Sequence, residues 1–158
     1  MLSFSDQQAM RNFKNRVNAP TFIHRIINKD SNSFLPGRVN HPEKIVNNIP
    51  IDKEIPEDSF NKLNKIKQIE LRSSCQGENS DRPTFIIFRL KDNSNDEEKV
   101  KQIVSKINKS PNNLLAGYDL GNDNQYRIGV TAKDVWAGRP GYINFWNQLP
   151  ETIQNSLK

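Results

Sequence analysis

Residues 69–90 read IELRSSCQGENSDRPTFIIFRL, and this stretch decides the fold of the second half of the chain. Its alternating start, residues 69–73, predicts a short strand. Its end, residues 84–90, is rich in β-branched and aromatic residues and predicts a second strand. The polar segment between them contains Cys75, the only cysteine. The stretch therefore predicts two consecutive strands joined by a loop that could carry chemistry.

The residues that follow complete an α+β pattern. Residues 96–109 predict a helix, because apolar residues recur at helical spacing and acidic residues occupy the first turn. Residues 114–131 predict a hairpin around a Gly-Asn-Asp-Asn turn. Residues 142–157 predict one or two helical segments interrupted by Pro150. The order β-β-α-β-β-α predicts an α+β domain over residues 68–158, a small, mostly antiparallel sheet with helices on one face. The pairing order of the four strands stays open.

Residues 1–67 have a different character and are interpreted as an N-terminal arm. They predict short helices over residues 5–18, 20–28 and 56–67, joined by extended, proline-punctuated connections, with one helical turn at residues 41–46. The first two helices are amphipathic and too short to be stable alone. We therefore expect them to dock on the α+β domain, on another copy or on a partner. The expected arm contacts are Arg11, Phe13, Lys14, Phe22 and Ile26.

Composition and charge limit the choice of partners without naming one. The apolar fraction is 34% and the net charge is +5. Residues 1–67 hold 11 Lys/Arg against 7 Asp/Glu, whereas residues 68–158 hold 12 against 11. A basic arm favours anionic partners such as nucleic acid or an acidic protein surface. The excess is too small and dispersed to establish nucleic-acid binding, and an ordinary solvated surface explains it equally well.

The cysteine count and the apolar runs exclude several classes of protein. One cysteine permits no intramolecular disulfide and no zinc site of the multi-cysteine kind. The two histidines are seventeen residues apart with scattered carboxylates, so no metal site and no cofactor is predicted. No apolar run is long enough for a bilayer, and no signal peptide is visible. We expect an intracellular, cytoplasmic protein with no membrane partner; a viral protein that acts inside a cell would look the same.

The loop after residue 72 and a second segment at residues 136–142 could bind an anionic ligand. Small hydroxyl side chains, a glycine and flanking arginines can offer backbone N–H and guanidinium donors to a phosphate. An aromatic ring in the second segment could stack on a base. The predicted ligand-binding residues are Arg72, Ser73, Ser74, Gly77, Arg82, Arg139 and Tyr142. The competing interpretation is a polar hairpin loop and a core-capping aromatic cluster, and three acidic residues near the loop (Glu70, Glu78 and Asp81) favour it.

Cys75 could be a nucleophile only with a base beside it. The candidate bases, His24 and His41, both lie in the arm, so a cysteine–histidine pair requires the arm to fold back over the loop. A buried structural thiol is the alternative.

The sequence supports three functional hypotheses, in this order. The first is a non-catalytic binding or assembly protein whose arm mediates self-association or docking in a larger complex. The second is an α+β domain that binds a nucleotide, another phosphorylated ligand or nucleic acid through the loop at residues 72–82. The third is an enzyme that uses Cys75 or the nearby carboxylates.

Overall fold

The structure, a computed structural model, describes residues 41–92 and 96–158. Within these ranges the chain forms six strands and three helices. In chain order they are β1 (Glu43–Val46), β2 (Ile49–Asp52), α1 (Glu57–Asn64), β3 (Ile69–Cys75), β4 (Phe85–Leu90), α2 (Glu97–Asn108), β5 (Leu115–Leu120), β6 (Tyr126–Thr131) and α3 (Tyr142–Ser156). The predicted α+β class and the strand–helix order are confirmed.

The larger sheet has four antiparallel strands in the order β3-β4-β6-β5. The two hairpins that the sequence predicts are both present, and β4 joins them by pairing with β6 from Phe85↔Thr131 to Arg89↔Arg127. This pairing could not be read from the sequence, because turn signals specify neighbours only within each hairpin. It places the most apolar strand, β4, inside the sheet.

One face of this sheet carries the core, and all three helices lie on that face. Alternate residues of β4 and β6, such as Phe88 and Ile128, pack with apolar residues of α1, α2 and α3 in a single cluster. Trp146 of α3 is fully buried in it. Side chains before residue 67 belong to the same cluster, among them Ile55 and Leu63. The core is thus continuous across the point where the sequence predicts the arm to end.

The first hairpin differs from its prediction. Residues 41–46 were expected to form a helical turn, but Glu43–Val46 is a strand that pairs with Ile49–Asp52. Asn47 and Asn48 both have positive φ, 52° and 65°, which is the backbone of a two-residue turn that suits the twist of a hairpin. Asparagine tolerates this conformation better than most residues. The missed signal was therefore the Asn-Asn pair.

The three described helices agree with their predictions. The sequence left open whether the C-terminal segment forms one helix or two, and the structure has one. Asp96 caps α2, accepting hydrogen bonds from the backbone N–H groups of Glu98 and Lys99 at 3.1 and 3.3 Å. The C-terminal segment is one helix, α3, which continues through Pro150. None of the described helices combines the length and the apolar character needed to cross a bilayer.

The opposite face of the sheet bears a second set of buried apolar side chains. Phe85, Ile87 and Leu115 alternate with residues of the helix-covered face, and they are 0%, 4% and 4% exposed. None of them belongs to the cluster under the helices. This face is called the rear face below. The predicted helices and contacts at residues 1–40 lie outside the described residues.

Candidate metal centre

His41, Cys75 and Glu78 meet at one end of the larger sheet. His41 Nε2 lies 2.9 Å from Glu78 Oε1 and 3.9 Å from Cys75 Sγ. The three potential ligand atoms all lie within 4.8 Å of one another. The three side chains are 8%, 7% and 15% exposed. Two segments far apart in sequence thus bring a nitrogen, a sulfur and an oxygen to one largely buried point.

Secondary structure fixes the position of each of these side chains. Cys75 is the last residue of β3, opposite Phe85, so its side chain points to the rear face. His41 precedes β1, and the carbonyl of the next residue, Pro42, accepts a 2.8 Å hydrogen bond from the N–H of Lys53. This bond closes the first hairpin beside the end of β3.

Gly77 allows the chain to turn between Cys75 and Glu78. Its φ of +82° lies in the left-handed region, where side chains cost energy. A Cβ there would lie 2.5 Å from the backbone nitrogen of Thr84 and 2.9 Å from Cβ of Trp136, so no side chain fits. The N–H of Gly77 donates to Cys75 Sγ at 3.4 Å. A donor aimed at the sulfur stabilises a thiolate.

Gln76, between the cysteine and the glycine, is held from three directions. Its N–H donates to Asp52 Oδ2 at 3.0 Å, its carbonyl accepts from the N–H of Ala137 at 2.9 Å, and its side-chain oxygen accepts from the N–H of Glu54 at 3.2 Å. Asp52 is 1% exposed. Two other segments, residues 52–54 and the chain at Ala137, therefore hold Gln76 between Cys75 and Glu78.

A buried chain of hydrogen bonds connects Cys75 to the core. The hydroxyl of Thr84 donates to the Cys75 carbonyl at 2.6 Å and accepts from Trp146 Nε1 at 3.1 Å. Thr84 is fully buried. The remaining oxygen of Glu78 is also held, because Arg82 lies 3.5 Å from Glu78 Oε2. Such contacts behind the ligand atoms restrict their orientation, as outer-sphere residues do in metal sites.

The geometry differs from that of a nucleophilic relay. In a cysteine–histidine–carboxylate relay, one imidazole nitrogen faces the sulfur and the other faces the carboxylate. Here a single nitrogen, Nε2 of His41, faces both Cys75 and Glu78. This arrangement places three potential ligand atoms within 4.8 Å of one another, as the ligand atoms of a metal site are.

The distances between the potential ligand atoms can be compared with those in a tetrahedral metal site. Zinc–ligand bonds of about 2.0–2.3 Å at tetrahedral angles separate neighbouring ligand atoms by about 3.4–3.6 Å. The two measured separations from His41 Nε2, 2.9 and 3.9 Å, lie on either side of this range. Each of these two separations differs from the range by about half an ångström or less.

The predicted ligand-binding residues lie in two places. Arg72, at an irregularity in β3, is 3.1 Å from Glu70, which also binds Arg89 at 2.8 Å. Burial alone would raise the pKa of Glu70, but hydrogen bonds from Arg89 and Arg72 outweigh it and hold the pKa below its usual range. Ser73 and Ser74 are half-buried in the same strand.

The remaining predicted residues lie nearer the cluster. Gly77 and Arg82 contact Cys75 and Glu78 as described, and Arg139 stacks over the ring of Trp136 at 4.6 Å. Tyr142 is 4% exposed, and its hydroxyl donates to the Glu54 carbonyl at 3.0 Å. Burial, with Asp52 nearby, raises the pKa of Tyr142. Ligand binding by these residues stays a prediction.

Sequence reasoning did not assemble this cluster. From the sequence, His41 is a candidate base for Cys75, no metal site is predicted, and Glu78 counts against phosphate binding. The spacing Cys75-x-x-Glu78 around a glycine was the available local signal. The contact with His41 spans 34 residues and depends on the first hairpin, which the sequence did not predict.

Comparison of the chain with family models, curated proteins and solved structures finds no match. The function is therefore argued from the site itself.

Proposed function

We propose that this protein binds a divalent metal ion of the zinc class through His41, Cys75 and Glu78. The observation that carries the proposal is the convergence of three different ligand atoms within 4.8 Å of one another. Thiolate, imidazole and carboxylate are the ligands that zinc takes in proteins. Three protein ligands leave a fourth position for water or for a further ligand.

The ion would have a structural consequence as well as a chemical one. It would join residues 41 and 78, which are 37 positions apart in the chain. Because the unfolded chain does not hold these ligands together, metal binding adds to the free energy of unfolding. The bound metal would connect the start of the first hairpin to the β3–β4 loop.

The competing interpretation is a hydrogen-bonded cluster without a metal. In that case a protonated His41 Nε2 donates to Glu78, and Cys75 is a buried thiol beside them. The two interpretations differ in what they predict for added metal, since only the first gives a stoichiometric site that contains a thiolate.

Cobalt substitution distinguishes the two interpretations. Co²⁺ added to the full-length, metal-free protein should give one equivalent of a species with a thiolate-to-cobalt charge-transfer band and tetrahedral visible bands, and Zn²⁺ should displace it. Cys75→Ser should remove the charge-transfer band. Glu78→Gln should weaken Zn²⁺ affinity by about 100-fold or more, since loss of outer-sphere partners alone costs 10–100-fold.

A matched control comes from the same loop. Asp81 is an exposed acid three residues beyond Glu78, and Asp81→Asn removes the same charge without touching the cluster. Its Zn²⁺ affinity should stay within about twofold of wild type. If Asp81→Asn weakens binding as much as Glu78→Gln does, or if Cys75→Ser keeps the charge-transfer band, the site is not the one proposed.

The assembly role of the arm is a second proposal, and one observation favours it. Phe85, Ile87 and Leu115 on the rear face are buried outside the main core, and the chain enters the described structure at His41, beside Cys75 on that face. We propose that residues 1–40 dock on the rear face of their own chain or of a second copy. The expected setting is intracellular and cytoplasmic, where a thiol stays reduced.

Substitution in the full-length protein tests the docking proposal. Phe13→Asp with Phe22→Asp should loosen the rear face, seen as faster amide hydrogen exchange in β4, and should lower the mass measured by light scattering if the face belongs to a second copy. Asn12→Asp with Asn15→Asp adds the same charge off the apolar stripe and should change neither. Unchanged exchange and unchanged mass in the apolar variant would exclude this docking.

A further inference from the structure

A cavity of about 470 Å³ lies at the opposite end of β3 from the metal centre. Gln68, just before β3, borders it, as do the end of β4, one side of α2 and the last residues of the chain. From Gln68 to Cys75 the chain spans about 23 Å at the usual rise per residue of a strand. The cavity is therefore a separate site, and its volume lies in the range of small-molecule sites, about 300–1,000 Å³.

The charge of the cavity lining is strongly unbalanced. The charged lining residues are Lys67, Lys91, Lys99, Lys106, Lys158 and Asp92. Five lysines thus face one aspartate, and Asp92 is ion-paired with Lys99. In the described part of the chain, no carboxylate lies within ion-pair distance of Lys67 or Lys91. The side chains of the lining carry a net charge of +4, from five lysines and one aspartate, and the whole chain carries +5.

The positions of the lysines follow from the fold. Lys99 and Lys106 lie on one side of α2 with Gln102 and Ile103 between them, at helical spacing. The N–H of Lys91 donates to the Gln68 carbonyl at 2.9 Å, which holds Lys67 and Lys91 on adjacent strand ends. The lysines around the cavity, called the lysine rim below, are therefore brought together by the packing of α2 with the ends of β3 and β4.

The floor of the cavity is apolar. Leu90 and Ile103 line it and are 6% and 4% exposed, and Leu157 packs beside the core. A ring or a sugar can lie on such a floor while several ammonium groups reach anionic oxygens around it. Lysine ammonium groups bind phosphate as point charges, and the attraction is strongest where several converge.

We propose that this cavity binds the phosphate groups of a nucleotide or of a single-stranded nucleic acid. The shared chemistry is a chain of phosphates on the lysine rim with an apolar group on the floor. This site lies outside the loop at residues 72–82 that the sequence indicated for such a ligand. It does not depend on the metal centre, so either proposal can fail alone.

Binding of three probes to full-length protein in metal-free buffer tests the proposal. The probes are tripolyphosphate, ATP and a labelled single strand of about twelve nucleotides, a length within the usual site sizes. Lys67→Gln with Lys91→Gln should lower affinity for the strand by about tenfold at low salt. It should also reduce the slope of log affinity against log salt by about 1.4, which corresponds to two lost phosphate contacts.

The control variant removes two lysines outside the cavity lining, one half-buried and one exposed, Lys44→Gln with Lys109→Gln. It should change affinity by less than about twofold. ATP binding as tight as that of the strand would identify a nucleotide site, and tighter binding of the strand a nucleic-acid site; both support the proposal. An equal loss in the control variant, or no binding of any probe by wild type, would overturn it.

Discussion

At one end of β3, Cys75 lies with His41 and Glu78 in a cluster whose members are at most 15% exposed, whereas at the other end Gln68 borders an open cavity rimmed by lysines. The first end has three different ligand atoms held by hydrogen bonds from several segments. The second end has one kind of charge on long, exposed side chains. The difference indicates two kinds of ligand recognition along one strand. The Cys75 end suits coordination of an ion at fixed geometry, and the Gln68 end suits long-range attraction of anions, which tolerates variation in ligand position.

This contrast has a physical origin in burial. Polar groups at the Cys75 end are removed from water, so each must have a partner, and the chain supplies them through Gln76, Thr84 and Arg82. Lysines at the Gln68 end remain in water, so a partner is not required for each; Lys99 pairs with Asp92, and Lys106 donates to the Lys158 carbonyl oxygen. We therefore expect substitutions at the first end to change stability and geometry together, and substitutions at the second end to change binding alone.

The largest expected effect is on ligand-induced stability, because each end of β3 should respond to a different ligand. Zn²⁺ at about a thousand times its dissociation constant should add about 4 kcal/mol to the free energy of unfolding, and ATP at about ten times its constant should add about 1.4 kcal/mol. Cys75→Ser should abolish the Zn²⁺ effect and keep the ATP effect. Lys67→Gln with Lys91→Gln should keep the Zn²⁺ effect and, with affinity about tenfold lower, reduce the ATP effect to about 0.4 kcal/mol. Thermal unfolding with each ligand measures both; loss of both effects in either variant would mean that the ends are not independent.

The next effect concerns the turn that aligns the metal ligands. Gly77→Ala should lower the free energy of unfolding by about 2–4 kcal/mol, since the methyl group meets backbone atoms in addition to the cost of positive φ. Gly138 is the matched control: its φ is +91°, and a Cβ there meets nothing within 4 Å. Gly138→Ala should lower the free energy of unfolding by about 1–2 kcal/mol, which is the cost of positive φ without any steric crowding. Equal costs in urea unfolding would mean that crowding at Gly77 has no effect.

A smaller effect is expected at the hydrogen-bond chain behind Cys75. Thr84→Val should cost about 1–3 kcal/mol, because the buried N–H of Trp146 loses its acceptor. Thr152→Val on α3 is the comparison, since Thr152 Oγ1 accepts one bond from Asn112 at 2.9 Å and the side chain is 9% exposed. Thr152→Val should lower the free energy of unfolding by about 0.5–1.5 kcal/mol. Only Thr84→Val should also weaken Zn²⁺ binding, which a competition titration with a zinc indicator would detect.

The smallest effect concerns Glu70, the second residue of β3. The pKa of Glu70 is lowered in the folded state, so this carboxylate contributes stability above its unfolded pKa of about 4.3, and the contribution is lost as pH falls through the lower folded value. Glu70→Gln should therefore lose less thermal stability than wild type between about pH 5 and pH 3. Parallel acid limbs in the two melting-temperature profiles would contradict this.

The fold was more predictable than the candidate site because local patterns determine most of it. The alternating and β-branched runs of residues 69–90 and the helical spacing from Val100 to Ile107 identify their elements without reference to the rest of the chain. The pairing of β4 with β6 depends on non-local packing, which no turn signal encodes. The helical turn predicted for residues 41–46 is wrong, because a segment of six residues with one proline gives weak periodicity.

The candidate site was harder to predict because its members come from separate segments. Cys75 and Glu78 are local to each other, but His41 reaches them only through the hairpin closed at Asn47 and Asn48. The lysines of the cavity are likewise spread from residue 67 to residue 158, so no window of sequence shows them together. Glu78 also has opposite implications for the two kinds of site. Its negative charge argues against a phosphate-binding site and in favour of a cation-binding site.

The position of His41 has a mechanical consequence. It is a candidate metal ligand two residues before β1, so tension on the chain from its N-terminal side reaches His41 before it reaches the hairpin. The next resistance is the bond from the N–H of Lys53 to the carbonyl of Pro42, a single hydrogen bond at the open end of a two-stranded hairpin. With metal bound, tension on the N-terminal segment would be carried by a coordinate bond; without it, the hairpin would open from that end.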